Sequence, residues 1–138
     1  MKKLLLTISM GFLLIPSAYA ATSNVNGQAI FDKNCSVCHS VNPPPKAAPP
    51  IVPLATRYRQ AFPAKQDGVK HIAAFLKAPS KNKAIDQNAV SRFGLMPPIA
   101  ISEKELQTVA DWVWEQYNPA MRGGRGFGGQ GQRQMKSF

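Results

Sequence analysis

The chain of 138 residues has only two cysteines, two histidines and seven acidic residues, against 17 lysines and arginines. Both cysteines fall between residues 35 and 38, so no cysteine-rich framework can be built elsewhere. A structural zinc site needs four ligands, and only the distant His71 could add to what this one stretch offers. After residue 15 there is no long apolar run, hence no second membrane span. No stretch sustains the alternation of a strand, and there is no internal repeat. The composition therefore points to an all-α chain.

What is present begins with an export signal. Lys2 and Lys3 are followed by an apolar run from Leu4 to Ile15, then by Pro16-Ser17 and Ala18-Tyr19-Ala20. A positive start, a short apolar core and an A-x-A site make a secretory signal peptide over residues 1–20, cleaved before Ala21. No cysteine follows the cut, which argues against a lipid anchor, so no stable membrane insertion is expected after cleavage. The remaining 118 residues suit one domain. Loss of two lysines takes the formal charge from +10 to +8. A basic exported protein is expected to meet an acidic protein partner or simply to be well solvated; nucleic acid is not an expected partner.

The mature chain reads as helices separated by proline. A first helix is expected from Val25 to Ser36, capped by Asn24 or Asn26, with Gly27 permitting close approach of another helix. Six prolines between Pro43 and Pro53 predict an extended loop, long enough that something must organise it. A short helix is expected from Leu54 to Phe62. Another lies within "QDGVKHIAAFLKAP", with Asp67 as its cap and Val69, Ile72, Ala73 and Leu76 on one face. Residues 80–100 read as irregular. The last helix carries the strongest signal: Ser102 and Glu105 make a capping box. Its apolar stripe runs through Leu106, Val109, Ala110, Val113 and Tyr117, is widened by Trp112 and Trp114, and stops at Asn118-Pro119. From Met121 the chain holds six glycines and four basic residues with no acid. That composition predicts a disordered, basic, Gly/Arg-rich tail over residues 121–138.

The chemistry lies in "NCSVCHSVN". Cys35-Ser36-Val37-Cys38-His39 is C-x-x-C-H, the pattern of c-type haem attachment. At a helix end, cysteines three apart lie on one side, where each can form a thioether with a haem vinyl group. The histidine that follows reaches under the ring and ligates iron. A redox dithiol would want a βαβ setting, and a plain disulfide leaves His39 unexplained. The sixth iron position decides between electron transfer and small-molecule chemistry. Its candidates are Met96, Met121, Met135 and His71. Met96 is favoured because "LMPP" places it in a proline-stiffened loop just before the last helix, whereas Met121 and Met135 lie in the tail.

In this order the features resemble the class I monohaem cytochromes c: Gly27 and Phe31 in a first helix, C-x-x-C-H, Met96-Pro97, then a closing helix with Leu106 and Trp112-Val113. The resemblance spans Val25 to Tyr117. It implies a helical shell around one covalently bound haem c with its iron, forming one domain over residues 21–120. N- and C-terminal helices would cross at Gly27, near Phe31 and Trp112. It further implies a proline carbonyl that accepts a hydrogen bond from His39, with Pro49 the match and Pro50 a rival. The implied function is electron transfer by a periplasmic carrier that is not an enzyme. Lys46, Lys81, Lys83 and Arg92 flank the loops facing the haem, where they would steer redox partners. Two alternatives stay open: a haem subunit of a dehydrogenase or oxidase complex, and a sensor or enzyme with an open sixth position. For the latter, no distal acid–base group is evident.

Overall fold

The computed structural model describes residues 26–123. Five α-helices and no strand occur among them: α1 Gly27–Asn34, α2 Ile51–Ala61, α3 Lys65–Lys77, α4 Gln87–Phe93 and α5 Glu103–Glu115. Single 3-10 turns lie at Lys81–Lys83 and Pro119–Gly123. The fold is all-α, as the sequence indicates. None of the described helices is long and apolar enough to cross a membrane. The expected signal peptide, Asn24 and most of the expected tail lie outside the described residues; the second 3-10 turn takes in Met121.

α5 organises the core. Its capping box forms as expected: the Ser102 hydroxyl accepts from the Glu105 N–H, and the Ser102 N–H donates to the Glu105 carboxylate at 2.9 Å. Leu106, Val109, Ala110, Val113 and Trp114 are buried along it. Trp112 and Trp114 sit two positions apart, about 200° around the helix axis, and serve two different neighbours. Trp112 meets α1 where Gly27 has no side chain: a Cβ there would stand 2.3 Å from the Trp112 Cβ. Phe31 stacks on the Trp112 ring with centroids 4.8 Å apart. Trp114 meets α3 at Gly68, where an added Cβ would fall within the indole ring's contact distance. The crossing at Gly27, with Phe31 and Trp112 beside it, is thus where the resemblance put it. The second crossing, at Gly68, carried no such motif.

Several element bounds differ from expectation for local reasons. α1 begins at Gly27, capped by Asn26, whose side chain accepts from the Gln28 N–H, and ends two residues before Ser36 because Cys35 leaves helical geometry. α2 starts at Ile51 rather than Leu54. Pro53 is its third residue, where the missing N–H is one that no helix satisfies internally. Asp67 does not cap α3; Ala64 holds that place, and Asp67 lies in the first turn, where its charge suits the helix dipole. Residues 80–100 are not wholly irregular: Asp86 caps α4 with one carboxylate oxygen on the N–H groups of Asn88 and Ala89. α5 stops at Glu115, so Tyr117 lies beyond the helix. There it flanks the Arg59 guanidinium, which also sits 4.6 Å over the Trp114 ring.

The proline-rich loop is organised by the segment that follows the cysteines. Ala48, Ile51 and Val52 donate their N–H groups to the carbonyls of Cys38, Ser40 and Val41. The Lys46 ammonium reaches back to the Ser36 carbonyl at 2.7 Å. These bonds lay the loop alongside residues 38–41 and bring Pro49 next to His39.

Candidate haem site

α1 delivers the C-x-x-C-H stretch. After Asn34 the chain tightens into a turn over residues 35–38, with Cys38 and His39 both donating their N–H groups to the Cys35 carbonyl. Cys35 is half-buried against the core and Cys38 is exposed. Cys35, Cys38 and His39 share one cavity of about 550 Å³. Met96 lines it as well, and so does Pro49. Residues far apart in sequence are therefore brought to one space: His39 from the turn after α1, Met96 from the loop before α5.

The imidazole is held from behind. His39 Nδ1 lies 2.7 Å from the Pro49 carbonyl oxygen. A carbonyl can only accept, so Nδ1 carries the proton and Nε2 keeps the lone pair. Burial holds the His39 pKa below its ordinary value, with the Pro49 bond opposing. That direction favours the neutral form that ligates metals. Pro50, the rival acceptor, is buried at the cap position of α2 instead.

The rest of the wall is mostly apolar. Phe31, Leu54, Ile72, Leu76, Val109 and Val113 contribute from α1, α2, α3 and α5. Tyr58 also lines it; the residue is buried, and burial pushes its phenol pKa upward. α4 supplies Ala89, Val90 and Phe93. Tyr58 and the α4 wall carry no motif, and only their place on the folded chain marks them. The signal available in sequence was weak: an Asp cap at Asp86 and scattered apolar residues after it.

The competing chemistries fit less well. Burial, with Cys38 second, pushes the Cys35 thiol up to about 11, whereas a redox dithiol needs a lowered value. Among the described residues, no three His, Cys, Asp or Glu side chains converge as a metal site. His71 does not line the cavity; its ring packs against Phe62 and Tyr58, at 4.9 and 5.9 Å between centroids. A haem does fit. The volume lies within the roughly 300–1,000 Å³ of cofactor pockets, the walls suit a porphyrin face, and two thiols and a tautomer-fixed imidazole stand at one side. Cys35 and Cys38 would hold it covalently, and His39 and Met96, on the same cavity wall, are the side chains that could ligate its iron.

Comparison with known proteins agrees. The chain is 28% identical to an uncharacterized protein of Aquifex aeolicus (strain VF5), over 88% of this chain and 92% of that one. No solved structure matches it significantly. The family model for cytochrome c matches residues 25–116. That match takes in two thirds of the sequence and every α-helix described above, and so the chain belongs to the cytochrome c family, as a c-type cytochrome whose covalent haem serves electron transfer.

Proposed function

We propose that this protein is an exported, periplasmic electron carrier with one haem, ligated axially by His39 and Met96. The observation that supports it is the meeting of those two side chains on one apolar cavity, 57 positions apart in sequence. When bound, the haem supplies an iron that cycles between Fe(III) and Fe(II). The protein's part is to hold its own groups still. The Pro49 carbonyl fixes the His39 ring and raises its basicity. The thioether of Met96 is soft and favours the reduced iron, as does the apolar wall. With His39 and Met96 both holding the iron, no position would be left for a substrate, which favours a carrier over a sensor or enzyme.

The partner is proposed to be an acidic redox protein. Val37, between the two cysteines, is 81% exposed and Leu95, beside Met96, is 40% exposed. Lys46 and Lys83 lie in the neighbouring loops and donate to the backbone carbonyls of Ser36 and Ala78, not to carboxylates. Exposed apolar side chains and ammonium groups that meet no carboxylate suit transient docking steered by charge.

The axial assignment is tested on the ferric protein. The wild type should show the far-red charge-transfer band of Fe(III)–thioether ligation and bind cyanide slowly. Met96→Ala should lose the band and bind cyanide fast. A wild type without that band, binding cyanide or carbon monoxide at once, refutes the carrier reading.

A further inference from the structure

The wall that carries Met96 is held differently from the rest of the cavity. From Ala84 to Pro98 the chain lines it almost continuously. Yet α4, in its middle, has no buried residue and makes at most marginal contact with the other helices. Gly94 ends α4 at φ 84° and ψ 174°, a conformation open in practice only to glycine. It turns the chain out of α4 toward Leu95 and Met96.

Polar ties hold this wall at its two ends. At the far end the Ile99 N–H donates to the Leu76 carbonyl at 3.0 Å. At the near end Asp86 does two jobs with two oxygens. Oδ1 caps α4 on the N–H groups of Asn88 and Ala89, both at 3.1 Å. Oδ2 accepts from Arg57 Nε of α2 at 2.7 Å. The Asp86 side chain is only 14% exposed, against 37% for Arg57, so the ion pair is partly shielded from water.

We infer that Arg57 and Asp86 are a positioning pair for Met96, clipping the near end of the α4 wall to α2 so that the thioether stays over the cavity. The inference rests on the reading of Met96 as the sixth ligand. Ordinary surface ion pairs contribute little, because water and salt screen them and two long side chains must be held in one geometry, and least of all where other packing already joins the elements. Lys65 is such a case: it pairs with Asp111 and Glu115, but α3 and α5 are locked by Trp114 against Gly68. α4 has no comparable lock. With the pair broken, the wall can swing out as a unit and take Met96 with it.

The test measures imidazole binding to the ferric holoprotein, because added imidazole reaches the iron only when the sixth ligand leaves. Asp86→Asn keeps a side-chain oxygen for the cap but loses the charge. Arg57→Gln loses the other half, and Arg57→Lys keeps the charge. Asp86→Asn and Arg57→Gln should each tighten imidazole binding about fivefold. The double variant should be no tighter than either single, and Arg57→Lys should stay near the wild type. Lys65→Gln, which breaks a pair away from the cavity, should leave binding unchanged. Unchanged binding in the Asp86 and Arg57 variants overturns the inference, as does an equal rise in Lys65→Gln or effects that simply add. A wild type lacking the Fe(III)–thioether band fails the Met96 reading and the inference with it. The band present with unresponsive variants fails the inference alone.

Discussion

Gly27→Ala perturbs one atom at the crossing of α1 and α5. The new Cβ would stand 2.3 Å from the Trp112 Cβ and 2.8 Å from the Thr108 carbonyl oxygen. Carbon atoms prefer about 3.5–4.0 Å, so the shortfall exceeds an ångström. Both neighbours are fixed to the α5 backbone, and no rotamer change moves them aside. The helices must separate, which loosens the Phe31–Trp112 stack and the packing of Ile30 and Phe31, 5% and 2% exposed. Overpacking of this kind costs about 1–3 kcal/mol, and a weakened aromatic pair adds about 0.5–1.5 kcal/mol. The smaller unfolded-state entropy of alanine returns about 0.5–1 kcal/mol. The net is about 2 kcal/mol of destabilisation. In a domain of this size that lowers Tm by about 8–16 °C. Guanidinium titration of the ferric holoprotein should show a lower midpoint at unchanged slope. Stability equal to the wild type, or above it as at an unhindered helical glycine, would refute the packing argument.

Two further outcomes are expected. The Glu105 carboxyl is held below the ordinary carboxylate range, first by the Ser102 hydroxyl and then by the Ser102 N–H. A lowered folded-state pKa contributes stability above the ordinary value and loses it as pH falls through the lowered one. Glu105→Ala should therefore destabilise most near neutral pH, with the gap to wild type closing on acidification; a gap constant down to acid denaturation contradicts the capping role. For the docking face, Lys81→Gln with Lys83→Gln should slow electron transfer to an acidic redox protein severalfold at low ionic strength and hardly at all at high salt, where screening removes the steering. A rate equally reduced at both places those charges outside docking.

The site was legible where chemistry requires residues at fixed spacing. Two thioethers and an axial imidazole demand C-x-x-C-H, and that pattern reads the same in any fold. Met96 stood out because prolines mark its loop, and it lines the cavity; its place on the iron is the proposal tested above. α4 was not: seven residues with no buried side chain leave no apolar period to detect. What marks it is the Asp86 cap, the Arg57 ion pair and its place on the cavity wall. The early start of α2 was missed because Pro53 looks like a breaker until its position in the first turn is known. Tyr58 was missed because one aromatic in an amphipathic helix points nowhere in particular on paper.

The amino-acid order alone determined the all-α class, the attachment of haem, the α5 capping box and the family, since each depends on neighbours within a few residues or on a covalent motif. Only the tertiary structure decided that Pro49, and not Pro50, faces His39, because the choice depends on bonds from Ala48, Ile51 and Val52 back to residues 38–41. It alone decided that Trp112 and Trp114 serve separate helices, each seated at a glycine on another element. It alone joined Arg57 to Asp86. Local pattern records what a residue can do; which partner it meets is settled by packing across the chain.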